Sequence, residues 1–256
     1  MTQPANKPKT RQFLRPGEPL SPHIIEQLKQ INASAKTHSF QDYLKRLRVL
    51  FAIPDEAPLD RGGKFYLGGF VVGEGSLNVA ISRLTTARFG VTFRPAFSLT
   101  QHVNGVDELY RALAYFQTGR LGHKSGSLAT LEVAIWQQDL LWERVVPFYE
   151  HYVIHPYGSA WVTWRTAEFK RFLALYRDGA HRDSERMIQE MLPLWDSLRV
   201  HRQHKNQVFK TLTEAQDYVV GVCREKKATA QAKIQRAKVE HGLKGRRTSK
   251  GKRTPG

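Results

Sequence analysis

The chain has 256 residues, enough for one large domain with extensions, and 41% of them are hydrophobic, enough for a sizeable core. Its one cysteine, Cys223, excludes a disulfide within the chain and a cysteine-rich zinc centre, and points to a reducing compartment. No apolar run approaches a membrane span, and MTQPANKPKTRQF at the start lacks the apolar stretch of a signal peptide; an intracellular setting, bacterial cytoplasm or organelle, is the expectation. The formal charge of +17 and a pI near 10.1 favour a polyanion partner: DNA, RNA or an anionic surface. From Val222 to Gly256 there are 12 Lys or Arg against 2 acids, so more than half of the excess lies in a C-terminal tail.

Taken in chain order, residues 1–20 are polar and proline-containing, and are expected to be disordered. Pro22 to Ile53 carries apolar residues at helical spacing in IIEQLKQI and FQDYLKRLRVLF. PDEAPLDRGG (54–63) reads as a linker. Lys64 to Gly75 predicts a short helix. SLNVAISRL (76–84) then alternates like a half-buried strand, and ARFG predicts a turn. VTFRPAFSLTQH (91–102) alternates again, with Pro95 suggesting an edge or a bulge. Val106 to Thr118 is helical, LGHKSG a short strand and turn, and SLATLEVAIW (127–136) a further strand. Gln137 to Tyr152 returns to a helical period that Pro147 is expected to interrupt. Glu168–Leu175, Arg182–Leu198 and Glu214–Lys238 follow as helices, the last long, polar and basic.

This order, helix–strand–strand–helix–strand–strand–helix, predicts an α+β fold with an antiparallel sheet and helices on one face. Strand alternation leaves the other face polar. Ser76, Asn78 and Ser82 oppose Leu77, Val79 and Ile81; Arg94, Ser98 and Thr100 oppose Phe93, Phe97 and Leu99; Thr130 and Glu132 oppose Leu131, Val133 and Ile135. Arg120 and Lys124, in the short strand and its turn, add cations. A curved two-stranded ribbon with such a face can lie in the DNA major groove, so these ten polar residues are candidate DNA contacts.

GGFVVGEGSLNV (68–79) raises a separate question. Gly69 and Gly73 are four apart, so they share a helix face from which side chains are missing and onto which another helix can pack closely. A tight contact inside one subunit would use the same spacing. Glu74 falls at the helix C-terminus, where the macrodipole disfavours an anion by up to about 1 kcal/mol. A cation should offset it, and Mg²⁺ is commonly held by one or two carboxylates with water and phosphate oxygens.

LGGFVVGEGS (67–76) resembles the LAGLIDADG motif of homing endonucleases. FSLTQHVNG (97–105), the run GVDELYRALAYFQTGRLGHKSGSLATLEV, PFYEHY (147–152) and TAEFKRFLALY (166–176) follow the order of that family's strands and helices. The resemblance spans roughly residues 64–180 and implies the αββαββα fold, with helical extensions on both sides: 1–63, 181–221 and a basic tail at 222–256. It implies a site-specific double-strand DNA endonuclease of the intron-encoded type, dependent on Mg²⁺ or Mn²⁺. It also implies that Glu74 is the metal ligand, that the Gly75 carbonyl lies by the metal, and that Gln101 positions water at the active site. One motif per chain implies a homodimer joined at Gly69 and Gly73, acting on a long pseudo-palindromic duplex. Val72 stands where the motif usually has an acid. The lysine that the family places before its closing helix is missing from HPYGSAWVTWRTAEF (155–169), where Arg165 is the nearby cation and becomes the candidate for its catalytic role. Two alternatives stay open on the same scaffold: an RNA maturase acting on intron RNA, and a DNA-binding protein with decayed nuclease activity. His151 with His155 and His201 with His204 are spaced like metal pairs, but no acid or cysteine cluster joins them. Cys223 has no evident His–Asp partners, and Trp161, Trp164 and Trp195 are read as core or interface residues.

Overall fold

The computed structural model describes residues 13–35, 37–55, 59–199 and 208–248, with side chains as far as Lys238. It falls into two compact units. One comprises Met1–Ala80 and Arg94–Arg177; the other comprises Ile81–Phe93 and Asp178–Gly256.

In the first unit α1 (Pro22–Ser34) starts on a proline, whose missing N–H costs nothing in a first turn. Ser39 caps α2 (Phe40–Phe51) by accepting from the Asp42 N–H at 3.1 Å. The motif helix α3 (Arg61–Glu74) is capped by Asp60, which accepts from the Gly63 N–H at 2.6 Å. Strand β1 (Gly75–Arg83) follows without a loop; then come β2 (Val91–His102), α4 (Val106–Phe116), β3 (Arg120–His123) and β4 (Thr130–Ile135). The sheet order is β1–β2–β4–β3, with β4 antiparallel to both of its neighbours. The predicted α+β arrangement is therefore present. Pro95 is tolerated because it precedes the β2–β4 ladder, which opens at Phe97 opposite Ile135. The apolar face of the sheet is fully buried: Phe97, Leu99, Leu121, Leu131, Val133 and Ile135 are inaccessible, as are Leu109, Leu113 and Phe116 of α4. The Phe97 and Phe116 rings meet edge to face at 5.4 Å.

Residues 138–157 form one helical run, α5, and Pro147 does not break it. Wider π turns at Leu141–Val145 and Tyr149–Ile154 immediately precede Pro147 and Pro156. A proline cannot donate and its ring crowds the preceding turn, so a locally widened helix accommodates it. The closing helix α6 (Ala160–Arg177) begins well before the predicted Glu168, because the Ser159 Oγ accepts from the Val162 N–H and starts it early. Residues 13–20, expected to be disordered, are pinned. Leu14 donates its N–H to the Asn104 Oδ1 and accepts from the Asn104 amide, and the Leu20 N–H donates to the Leu128 carbonyl. Residues 1–12 lie outside the described residues.

Tyr43 ties α2 to the sheet. Its buried hydroxyl accepts from the Leu121 N–H at 2.8 Å and donates to the Asn32 Oδ1 at 3.0 Å. Burial pushes this phenol up to about 12. Its folded-state value exceeds the ordinary 10, so its contribution is whole below pH 10 and is lost as pH rises from about 10 to 12. Tyr43→Phe orphans a buried N–H and should cost about 1–3 kcal/mol. Thermal denaturation at neutral and high pH checks both points: the variant should melt lower at pH 7 and lose less between pH 9 and 11 than the parent.

The second unit is built around the β1–β2 turn and two helices, α7 (residues 184–197) and α8 (Leu212–Thr248). A further π turn at Met187–Met191 precedes Pro193. Trp195, Phe209, Ala215 and Val219 are buried here. The Arg83 guanidinium lies 4.9 Å from the Phe209 ring centre and 4.8 Å from that of Tyr218, with the Glu214 carboxylate at 3.6 Å. Gly90 takes a φ of +73° against Tyr218 and Val222, a conformation and a closeness that a side chain would oppose.

Candidate active site and nucleic-acid face

α3 ends at Glu74, whose side chain is exposed and has no hydrogen bond or ion pair among the described residues. An anion unpartnered at a helix C-terminus sits in an unfavourable potential. Gly75 is extended (φ −85°, ψ 150°), so glycine is not required there for a reversal of the chain. It is required for room: a Cβ at Gly75 would lie 2.5 Å from the Val71 carbonyl oxygen and 3.2 Å from the Tyr149 hydroxyl. Tyr149 is 5% exposed, and burial raises its phenol, opposed in part by the charge of Arg165. Arg165, at the first turns of α6, donates from Nε and Nη2 to the Leu77 carbonyl at 3.0 and 2.7 Å. The fold thus brings Arg165 and Tyr149 to the start of β1, immediately after Glu74. Tyr149 was not singled out in the sequence, although it lies inside PFYEHY.

Gln101 ends β2 opposite Leu131, on the side of the strand that alternates with Thr100. Its Oε1 accepts from the His102 N–H at 2.8 Å, and its side chain fills the space over Gly105. On the other face the strand register forms polar rows across three strands. Thr100 faces Glu132, which faces Gly122; Ser98 faces Ala134, which faces Arg120; His102 faces Thr130, whose carbonyl accepts from the Lys124 N–H. His102 belongs to this face and was missed, though strand alternation alone places it there. On β1 Ser76 and Asn78 are half-exposed and Ser82 is exposed, while Leu77, Val79 and Ile81 are buried, as alternation required. Arg94 is exposed on β2. Arg120 reaches sideways: it stacks 5.0 Å over the Tyr43 ring and donates to the Ala35 carbonyl at 3.4 Å.

The glycines of α3 divide by face. Gly68 is the intramolecular one, since a Cβ there would fall on the Tyr152 carbonyl of α5. Gly69 is half-covered by the Tyr157 ring of its own chain, 3.4 Å from where a Cβ would sit; Tyr157 donates to the Phe65 carbonyl. Gly73 has nothing within 4 Å of such an atom. Gly62, Tyr66, Gly69 and Gly73 follow a 4-3-4 spacing down one stripe of α3, with Tyr66 55% exposed.

Trp195 is core, whereas Trp161 and Trp164 stack at 5.0 Å and are about two-fifths exposed. His151 bonds the Pro147 carbonyl through Nδ1, and among the described residues no group of three His, Cys, Asp or Glu is placed to hold a metal. His201 and His204 lie outside the described residues. No helix of the described residues is long and apolar enough to cross a membrane.

No family model matches the chain. It is 45% identical over 207 residues to the DNA endonuclease I-CeuI of Chlamydomonas moewusii, an alignment covering 80% of this chain and 94% of that protein. The chain belongs to the LAGLIDADG homing endonuclease family. The solved structure of the group I intron-encoded homing endonuclease I-CeuI complexed with DNA superposes with a TM-score of 0.77 at 44% identity, over 81% of this chain and all of that one. The LAGLIDADG meganuclease I-CpaMI bound to uncleaved DNA shares the fold, with a TM-score of 0.50 at 20% identity, covering 62% of this chain and 49% of that one. As a LAGLIDADG homing endonuclease, the chain carries its motif on α3 and its polar strand face on the exposed side of β1–β4.

Proposed function

We propose that this chain is the homing endonuclease of a mobile intron, a homodimer that cuts both strands of a long, roughly palindromic duplex with Glu74 as the metal-holding acid. The observation that carries the reading is the exposed Glu74, unpartnered among the described residues, at the end of a helix whose Gly73 side is open. The donors at hand are hard oxygens: the Glu74 carboxylate and the Gly75 carbonyl. One carboxylate suits a cation that completes its shell with water and phosphate oxygens, so the residues fit Mg²⁺ or Mn²⁺. Bound there, such an ion supplies neutralisation of phosphate charge and a more acidic water.

The chain's own groups do the rest. Arg165 holds positive charge at the start of β1, where developing charge on a phosphate needs it, and its two bonds to the Leu77 carbonyl fix that charge in place. Buried Tyr149 stays protonated and walls the site beside Gly75. Gln101 offers an amide at the end of β2 to orient water. Thr100, Glu132, Ser98, Arg120, Thr130 and Lys124 read bases and phosphates from the polar rows. The open stripe of α3 meets its copy across a two-fold axis, so the dimer carries two acids, one for each strand.

The test is cleavage of the uninterrupted host-gene sequence that flanks the reading frame, with Mg²⁺ and with EDTA. A double-strand cut that EDTA abolishes is the expected result. Specific binding without a cut would replace this reading with a decayed nuclease, and preference for the intron RNA would replace it with a maturase.

A further inference from the structure

The second unit ends in a feature that the strand-face reading does not use. α8 packs through its first turns, where Ala215 and Val219 are buried and Tyr218 and Val222 close on Gly90. Lys226 makes the last anchor, donating from Nζ to the Ala87 and Arg88 carbonyls at 2.7 and 3.2 Å. These carbonyls belong to the turn joining β1 to β2. From Arg224 to Lys238 every residue is exposed. The segment carries six cations (Arg224, Lys226, Lys227, Lys233, Arg236 and Lys238) against one acid, Glu225.

The pattern decides what kind of partner fits. Ile234 is the only large apolar side chain between 224 and 238, so there is no apolar stripe for a coiled coil and no apolar face for a membrane surface. A helix polar all round needs an external partner or many internal pairs, and a single acid cannot supply the pairs. The cations point in several directions, while Ala228, Ala230, Ala232 and Ala237 keep the rod slender. At 1.5 Å per residue the segment is about 22 Å long, the axial rise of about six base pairs. The major groove of B-form DNA admits a helix and lines it with phosphates on both sides, whereas the deep, narrow groove of A-form RNA does not.

We infer that residues 224–238 of α8 are an arm for the phosphate backbone of duplex DNA, independent of base sequence. The choice of DNA rests on the endonuclease reading, but the arm is a binding device and is tested as one. In the test variant Arg224, Lys227, Lys233, Arg236 and Lys238 are all changed to Gln, which keeps helix propensity and leaves the Lys226 anchor. A companion variant exchanges Lys and Arg at the same positions and keeps the charge. Binding of a mixed-sequence duplex of about 40 base pairs is followed by anisotropy from about 50 to 200 mM salt.

Neutralisation should weaken binding at least about tenfold and lower the salt slope by about 4–5, at about 0.9 for each of the five cations removed, while the charge-keeping variant matches the parent. An A-form RNA hairpin of similar length should lose less than about threefold. An unchanged duplex slope overturns the inference, as does an equal loss on the hairpin. The outcomes separate the two readings. A chain that cuts no DNA but shows the slope change keeps the arm and loses the nuclease; a chain that cuts its site with an unchanged slope loses only the arm.

Discussion

Glu74→Gln should abolish double-strand cleavage while leaving the duplex bound. The substitution is nearly isosteric at an exposed position, so the fold has no reason to change. It removes the only carboxylate at the end of α3 and, with it, the proposed anionic ligand of a hard cation. A loss of about 10³-fold in rate, ~4 kcal/mol of transition-state stabilisation, is the expected size. Affinity for the uncut duplex should stay within about threefold, because the polar rows proposed to face the bases are untouched. Single-turnover cleavage and equilibrium binding on the same DNA measure both. A variant that still cuts within tenfold of the parent would remove Glu74 from the chemistry.

A second large effect separates two glycines five residues apart. Gly68→Ala drives a methyl group into the Tyr152 carbonyl, a backbone atom of a packed helix that cannot step aside. The cost should be about 3 kcal/mol or more, with a fall in Tm of roughly 6–12 °C. Gly73→Ala meets open space and should leave the monomer as stable or slightly more so, by up to about 1 kcal/mol, since alanine suits a helix better than glycine. Gly73→Ala should instead weaken self-association, read by stepwise dilution in light scattering, because the two helices of the proposed seam would lose their closest approach. If Gly73→Ala leaves association unchanged and Gly68→Ala weakens it without lowering Tm, the roles given to the two faces are reversed.

Much of this was legible in the sequence. Alternation placed Leu77, Val79 and Ile81 inward and Ser76, Asn78 and Ser82 outward, because a pleated strand has no other way to bury one face. The order of elements through α3 and the sheet followed from changes of period. Other features were not legible, for particular reasons. Which glycine of α3 meets its own chain depends on where α5 lies, and spacing cannot rank Gly68 against Gly69. Gly75 leaves room for the Val71 carbonyl of its own helix and for the Tyr149 hydroxyl, the second a contact between distant parts of the chain that spacing does not show. Arg165 finds its partner in a backbone carbonyl 88 residues away, which leaves no side-chain signal to read. The early start of α6 was hidden by Thr163 and Trp164, poor helix formers that a capping serine overrides.

The widened turns of α5 have a consequence for how one rod serves two partners. A π turn holds an extra residue, and each residue of a helix advances the side-chain direction by about 100°. Before the second such turn, Leu141, Val145 and Phe148 face inward, with Phe148 against Phe116 of α4 at 5.1 Å. Beyond its start, Tyr152 and Tyr157 lie against Gly68 and Gly69 of the motif helix. The extra residue works like an offset cut into a camshaft: it re-aims the second lobe without a joint, so α4 and the motif helix are held by one continuous helical run, and their spacing is set by the shaft rather than by a loop.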